Sequence, residues 1–236
     1  RLFENNYALI ARRNKHLDYY NWLHKNRNDL FISHHAALLP KPHPSFQEKE
    51  VSSFFQKPFD CNRSRWQGDT LWIGTTSSGL IAWAFNNNTR KEYRYDKNTS
   101  SICSNTIMDF LFDSAGNIWI ATTSGLDYFN KQANNFTHYS TKNGLPDNAV
   151  YNLTYDKKGR IWLGTGKGLS CMDTSKKTFF NFNTRDGLIN SEYNRFSAYT
   201  TPDGTIFMGG MDGIDYFNPG DILLEADTLE PVVTNV

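Results

Sequence analysis

One short phrase recurs four times along the chain, and this repeat constrains the fold more than any other feature. It reads LWIGTTSSGL from Leu71, IWIATTSGL from Ile118, IWLGTGKGL from Ile161 and IFMGGMDGI from Ile206. The aromatic anchor at the second position of each copy is Trp72, Trp119, Trp162 or Phe207, and the spacings are 47, 43 and 45 residues. A period in the forties with strand-forming content is typical of a four-stranded propeller blade. The sequence therefore predicts an all-β chain, a β-propeller of four-stranded antiparallel blades.

Each repeat divides into four short strands joined by tight turns. An apolar first strand such as NTIMDFLFD from Asn105 is followed by a hairpin turn such as DSAGN from Asp113, and the strand with the aromatic anchor comes next. Gly116, Gly159 and Gly204 occupy the fourth place of these turns, where a tight hairpin needs positive φ. A third strand follows the Gly-Leu pair, and a more polar strand such as NNFTHYS from Asn134 closes the unit. Sequential hairpins of this kind form a meander.

The first 50 residues fit the pattern less well. Residues 9–21 align with the strand at Trp119 and predict a degenerate partial blade, with an amphipathic helix over residues 14–29 as the alternative. Pro40, Pro42 and Pro44 then indicate an extended linker. We interpret VSSFFQ from Val51 as a first strand and residues 57–68 as an insertion that replaces the short turn. The predicted propeller thus comprises residues 1–224, with well-matched blades over 51–224 and about five units in all, the first incomplete.

The repeat resembles that of the two-component regulator propeller family, found in the ectodomains of bacterial sensor histidine kinases. The family pattern D-x-x-G-x-[IL]-W-[IL]-G-T-x-x-G-L is matched from Asp113 to Leu126 and from Asp156 to Leu169. The copy at Trp72 departs from it, with Gly68-Asp69 in the turn. Residues 186–222 resemble the family's closing blade, and residues 225–236 resemble a linker and the first strand of the immunoglobulin-like domain that follows it. The resemblance implies a fragment of a larger propeller.

Composition excludes several function classes. The net charge is +1, whereas a nucleic-acid surface needs a concentrated positive field. Mean hydropathy is -0.60, and no apolar run approaches the roughly 18 residues of a membrane span. The three cysteines fit no zinc or redox motif, and the cluster His34, His35 and His43 has no supporting carboxylate or cysteine at ligand spacing. We expect no metal, no cofactor and no catalytic residue, and any membrane attachment through parts outside this chain.

The loops between second and third strands, and those between blades, must share one face of a propeller, because alternate hairpin ends project to alternate faces. We expect a ligand at this loop face. The residues predicted to contact it are Arg12, Arg13, Lys15, Asn148, Lys167, Glu192, Tyr193, Asn194, Arg195 and Asp212. The residues of the run at Glu192 offer a carboxylate, an aromatic ring, an amide and a guanidinium, although they also fit the family's closing-blade pattern and a structural role.

The resemblance implies a periplasmic sensory segment of a two-component sensor that detects an oligosaccharide and signals to a kinase outside this chain. Its expected partners are the remaining blades, the immunoglobulin-like domain and a second copy in a full-length homodimer. The alternatives are a carbohydrate-active enzyme on a propeller scaffold, a lyase or a glycosidase, and a protein–protein interaction scaffold. Because a propeller protects its sheet edges by closing its ring, we also expect residues 1–236 to need further blades or a partner surface for native stability.

Overall fold

The computed structural model describes residues 31–32, 37–38, 61–84, 86–87, 89–97 and 100–222. In these residues every regular element is a β-strand except two single 3-10 turns, Thr141–Asn143 and Thr184–Asp186. Three sheets have four strands, one has three, and β1 (Phe31–Ile32) pairs with β2 (Ala37–Leu38) in a two-residue ladder. Over the same residues, no helix has the length and apolar character needed to cross a bilayer.

Each of the four larger sheets is formed by consecutive strands and is one blade. The first blade is β3 (Cys61–Gln67), β4 (Thr70–Thr75), β5 (Leu80–Ala84) and β6 (Thr89–Tyr93). The second is β7 (Ile107–Phe112), β8 (Ile118–Thr122), β9 (Gly125–Asn130) and β10 (Asn135–Tyr139). The third is β11 (Val150–Tyr155), β12 (Ile161–Thr165), β13 (Gly168–Asp173) and β14 (Thr178–Phe182). The fourth is β15 (Tyr193–Thr200), β16 (Ile206–Gly210) and β17 (Ile214–Phe217).

The blades stand side by side around their first strands. All neighbouring strands within a blade are antiparallel, and β3, β7, β11 and β15 contact one another in succession. The first strand of each blade is therefore the inner one, facing the central channel, and the fourth is peripheral. This arrangement confirms the predicted all-β propeller fold.

The apolar core lies between blades, where the anchor tryptophans pack onto the next sheet. Trp72 belongs to a cluster with residues of the second blade, Trp119 to one with residues of the third, and Trp162 to one with residues of the fourth. The tryptophan of each blade thus faces the blade that follows it. Burial of large aromatic faces between sheets supplies much of the stabilisation of such a stack.

The fourth blade has the same anchor position but an open face. Phe207 occupies the second position of its repeat phrase, as each tryptophan does in its own copy, yet it is 36% exposed where Trp162 is fully buried. It stacks on Tyr216, which is 71% exposed, and the side chains of Tyr199 and Ile214 are also exposed on this blade. Among the described residues no further sheet packs against Phe207, so we call Tyr199, Phe207, Ile214 and Tyr216 the open face.

The sequence interpretation was wrong at the start of the first blade. Residues 61–67, predicted to be part of an insertion, form the inner strand β3, and Gly68 and Asp69 make its turn directly. The strand is rich in Arg, Asn and Ser because it faces the channel, where Arg63 and Arg65 pair with a buried carboxylate. The expected strand at Val51, the helix alternative over 14–29 and residues 225–236 lie outside the described residues.

Candidate functional site

In the described part of the chain, the candidate regions for ligand contact are the central channel, the predicted loop face and a cleft on the opposite face. In the channel, the inner strands have a register shift before Arg63, Asp109 and Asn152. Asp109 is fully buried, and it accepts hydrogen bonds from Nε of Arg63 at 2.6 Å and from its Nη2 at 3.1 Å. It also accepts the backbone N–H of Leu153 from the third blade at 3.2 Å. This carboxylate joins three blades.

The electrostatics of Asp109 follow from this pairing. Burial by itself would raise the pKa of Asp109, but the charge and hydrogen bonds of Arg63, the charge of Arg65 and the N–H of Leu153 hold that pKa below its usual range. Both oxygens of the Asp109 carboxylate already accept hydrogen bonds from groups of this chain. The channel cluster therefore stabilises the blade assembly and has no vacant position for a ligand at Asp109.

On the predicted loop face, the structure places the candidate side chains at separate points. The amide oxygen of Asn148 accepts the N–H of Thr141 at 2.9 Å, and Lys167 is exposed with Nζ 3.6 Å from a carboxylate oxygen of Asp147. Glu192 accepts the hydroxyl of Tyr151 at 3.2 Å. Asp212 is exposed, and its backbone N–H donates to Oδ1 of Asn190 at 2.8 Å.

Within the run at Glu192, the tyrosine belongs to the blade interior. Tyr193 is buried, and its hydroxyl donates to Asp215 at 2.7 Å. The ring therefore exposes no surface with which it could make the predicted contact with a ligand. The side chain of Asn194 donates to the carbonyl of Gly210. Arg195 is exposed, while Arg12, Arg13 and Lys15 lie outside the described residues.

A concave surface lies between the second and third blades, on the face opposite the predicted one. We call it the inter-blade cleft; its volume is about 510 Å³. It is formed by the turns after β7, β11 and β13 and by aromatic rings of the two blades. The lining residues are Phe112, Asp113, Ser114, Trp119, Tyr128, Tyr155, Lys158, Gly159, Thr174 and Lys177.

A polar network orders one wall of the cleft. The hydroxyl of Tyr128 donates to Asp113 at 2.9 Å, and the side-chain amide of Asn117 donates to the same carboxylate oxygen at 3.2 Å. Within the described part of the chain the buried hydroxyl oxygen of Tyr155 makes no hydrogen bond. A buried hydroxyl without a partner is costly, and a polar atom of a ligand or water in the cleft would satisfy this one once a neighbouring side chain moved to expose it.

Lys177 brings a positive charge to the aromatic side of the cleft. Its Nζ lies 4.9 Å from the ring centroid of Trp119 and 5.3 Å from that of Tyr128, within the range of cation–π attraction. Lys158 is exposed at the rim, and Asp113 is the one carboxylate among the described lining residues. The cleft thus combines aromatic surface, hydrogen-bonding groups and a small excess of positive charge.

Sequence reasoning missed this cleft because it read its residues separately. Asp113 and Gly159 were assigned to hairpin turns, and Lys177, in the turn before β14, was assigned to nothing. One signal was present: the turns after first and third strands also share a face, and the cleft lies where two such sets of turns from neighbouring blades meet.

Comparison with known proteins agrees with the fold and the repeat. The family described as "Two component regulator propeller" matches residues 101–124 and 144–167, which confirms the resemblance for the second and third blades. No curated protein sequence matches the chain.

Among solved structures, the chain is similar to extracellular domains of two proteins assigned as hybrid two-component systems of B. thetaiotaomicron. For BT3049 the identity is 19% over 82% of this chain and 26% of that one, with a TM-score of 0.61. For BT4673 the identity is 20% over 68% of this chain and 23% of that one, with a TM-score of 0.59. The chain thus spans about a quarter of these relatives.

A third similarity is more distant. Virginiamycin B lyase from Staphylococcus aureus has a TM-score of 0.50 and 12% identity, over 81% of this chain and 63% of that one. These likenesses to solved structures are evidence of the shared propeller fold.

Proposed function

We propose that this chain, whose second and third blades carry two-component regulator propeller repeats, is a ligand-recognition segment of the periplasmic domain of a two-component sensor. The observation that carries the proposal is the family match at residues 101–124 and 144–167 within an all-β propeller. In this role the chain binds a signal molecule and passes the change to a kinase that lies outside it.

The signal molecule we propose is an oligosaccharide that carries carboxylates, bound in the inter-blade cleft. Sugar rings pack their apolar faces on aromatic side chains, and half-buried Tyr128 and Tyr155 offer such surface. The unpartnered hydroxyl of Tyr155 supplies a hydrogen bond, and Lys177 and Lys158 supply the positive charge that favours an acidic sugar.

The cleft supports binding more than catalysis. A retaining or inverting glycosidase needs two carboxylates flanking the scissile bond, and the described lining residues include only Asp113. A lyase that used tyrosine as its base would need a phenolate. Burial, with the nearby Asp113 carboxylate, raises the pKa of Tyr128 and that of Tyr155, so both hydroxyls stay protonated at neutral pH.

The test is a thermal-shift and calorimetric screen of the full chain against neutral and uronate-containing oligosaccharides. A ligand at a hundred times its Kd adds about 2.7 kcal/mol to stability, which raises the Tm of a chain of this size by roughly 5–10 °C. We expect the uronate-containing set to give the larger shifts, and the substitutions Lys177→Met and Tyr155→Phe to weaken binding.

The matched control is Lys167→Met, which removes an exposed lysine from the opposite face. It should leave the affinity unchanged. Absence of a shift with every oligosaccharide would overturn the ligand class, and loss of binding in Lys167→Met but not in Lys177→Met would place the site on the loop face instead.

A further inference from the structure

The second blade holds a group of three potential metal ligands that none of the other described blades has. Cys103 lies in the loop before β7, Asp127 on β9 and His138 on β10. Their ligand atoms, the thiol sulfur, a carboxylate oxygen and an imidazole nitrogen, all lie within 4.8 Å of one another. The residues are 24 and 11 positions apart in the sequence, so no ligand-spacing motif reveals them. The fold brings them together because Asp127 and His138 are register partners in neighbouring strands.

The contacts within the group fix two of the three ligands. Asp127 is buried, and one of its oxygens lies 2.7 Å from Nδ1 of His138 while the other accepts the backbone N–H of Cys103 at 2.8 Å. The thiol of Cys103 lies 3.2 Å from the hydroxyl of Thr122. The side chain of His138 is 45% exposed, so it can rotate and the group is open to solvent on that side.

Comparison with the other blades shows which of the three residues the fold itself requires and which are specific to the second blade. The fourth blade has Asp215 at the position of Asp127, and this carboxylate accepts the backbone N–H groups of Ile189 and Asn190 and the hydroxyl of Tyr193. A carboxylate here therefore anchors the loop between blades through hydrogen bonds from the chain itself. The thiol and the imidazole are not part of that anchor.

The register partners that correspond to Asp127 and His138 in the third blade are Ser170 and Asn181, and in the first blade they are Ile81 and Glu92. Pro146 takes the place of Cys103 in the loop before the third blade. Neither blade unites sulfur, oxygen and nitrogen ligands. The convergence of Cys103 and His138 on Asp127 is thus specific to the second blade.

We propose that Cys103, Asp127 and His138 form a binding site for a divalent metal ion of the zinc class. Zinc accepts thiolate, imidazole and carboxylate ligands at about 2.0–2.3 Å, and ligand atoms around a tetrahedral ion then lie about 3.3–3.6 Å apart. Reaching this spacing requires His138 to move away from Asp127, because its Nδ1 now lies 2.7 Å from the carboxylate oxygen. Three protein ligands leave a fourth position for water or for a donor atom of another molecule.

Binding is accompanied by loss of the thiol proton to solvent, because the thiolate is the metal ligand. Burial, with the charge of Asp127, raises the pKa of Cys103, and the hydrogen bond to Asp127 raises the pKa of His138. Protons therefore compete with the metal, and the experiment belongs in a mildly alkaline, reducing buffer.

The experiment is a Co²⁺ titration of the metal-free full chain, followed by the thiolate-to-cobalt charge-transfer absorption and the ligand-field bands of tetrahedral cobalt. We expect one Co²⁺ per chain, displaced by Zn²⁺. Cys103→Ser should abolish the charge-transfer band. The matched control, Cys171→Ser, removes a buried thiol elsewhere in the chain and should leave the band intact.

His138→Gln tests the site without risk to the core, because this side chain is exposed on the peripheral strand. It should weaken Co²⁺ binding at least about tenfold while far-UV circular dichroism stays unchanged. Asp127 is left in place, since it also holds the loop. A wild-type chain with no charge-transfer band would overturn the proposal, as would a band that survives in Cys103→Ser or an affinity unaffected by His138→Gln.

Discussion

Arg63 on the inner strand of the first blade donates two hydrogen bonds to Asp109 on the inner strand of the second, from Nε at 2.6 Å and from Nη2 at 3.1 Å. The same carboxylate accepts the N–H of Leu153 from the third blade. Asp109 therefore receives hydrogen bonds from both of its neighbouring blades, as expected of a repeat protein whose units touch only their neighbours. Its carboxylate adds a polar link to the apolar packing between the first, second and third blades.

Replacing Arg63 with Met should destabilise the chain by roughly 2–4 kcal/mol, because a fully buried carboxylate loses its main partner. Arg65→Met is the control. Arg65 approaches Asp109 only to 3.4 Å and its side chain is 34% exposed, so we expect a loss below about 1 kcal/mol. Urea unfolding of both variants measures the difference, and equal losses would contradict the assignment of Arg63 as the main partner.

The effect of Arg63→Met should also depend on pH. In the wild type the folded-state pKa of Asp109 is held below the unfolded value of 3.8, so this group contributes stability above that value and loses it as the pH falls through the folded pKa. In the variant, burial without Arg63 raises the pKa of Asp109. The contribution of this group to the free energy of unfolding then grows, rather than falls, as the pH is lowered. The free-energy gap between the two proteins should narrow on acidification from neutral pH to below 3.8; a constant gap would argue against a charge effect.

Anchor residues at equivalent positions of different blades should differ in how much they contribute to the free energy of unfolding. Trp162 is fully buried against the fourth blade, whereas Phe207 is 36% exposed on the open face. We expect Trp162→Ala to cost about 3–5 kcal/mol and Phe207→Ala less than about 1.5 kcal/mol, since the smaller buried area limits the loss. Thermal and urea unfolding provide both values. A large loss from Phe207→Ala would indicate that another surface covers the open face.

Close packing between the third and fourth blades makes Gly164 sensitive to a single methyl group. A Cβ at this position would lie 2.6 Å from Oδ1 of Asn152 and 2.8 Å from Cβ of Tyr193. Gly164→Ala should therefore destabilise the chain by about 1–3 kcal/mol. At nearby Gly166 the nearest atom to a new Cβ lies at 3.4 Å, so Gly166→Ala is expected to change stability by less than about 0.5 kcal/mol. Comparable losses at the two sites would refute the packing argument.

The sequence was sufficient to predict the structural features that depend on local residue patterns. Alternating strands, positive-φ glycines in the turns, such as Gly116 at 80° and Gly159 at 76°, and evenly spaced aromatic anchors were enough to define the blades. The strand at Arg63 was missed because its polar residues look like a loop until Asp109, 46 positions later, is brought beside them.

The candidate sites were less predictable for the same reason. The inter-blade cleft joins Asp113 to Lys177, and the proposed metal site joins Cys103 to His138. Each pair meets only after strands have been stacked or paired, so neither has a signature in a contiguous stretch. The loop-face residues were chosen from topology alone, and topology says which face a loop is on without saying which loops form a concavity.

The register shift repeated in the inner strands has a consequence for how such a chain can change. In the first three blades it directs one side chain, Arg63, Asp109 or Asn152, into the channel opposite a small residue of the next strand, Gly74, Ala121 or Gly164. A change of charge at Arg63 or Asp109 therefore needs a compensating change at the other residue, because either one alone would be an unpaired charge in the interior. Loss of the whole first or second blade would have the same effect, since each blade holds one of the two partners.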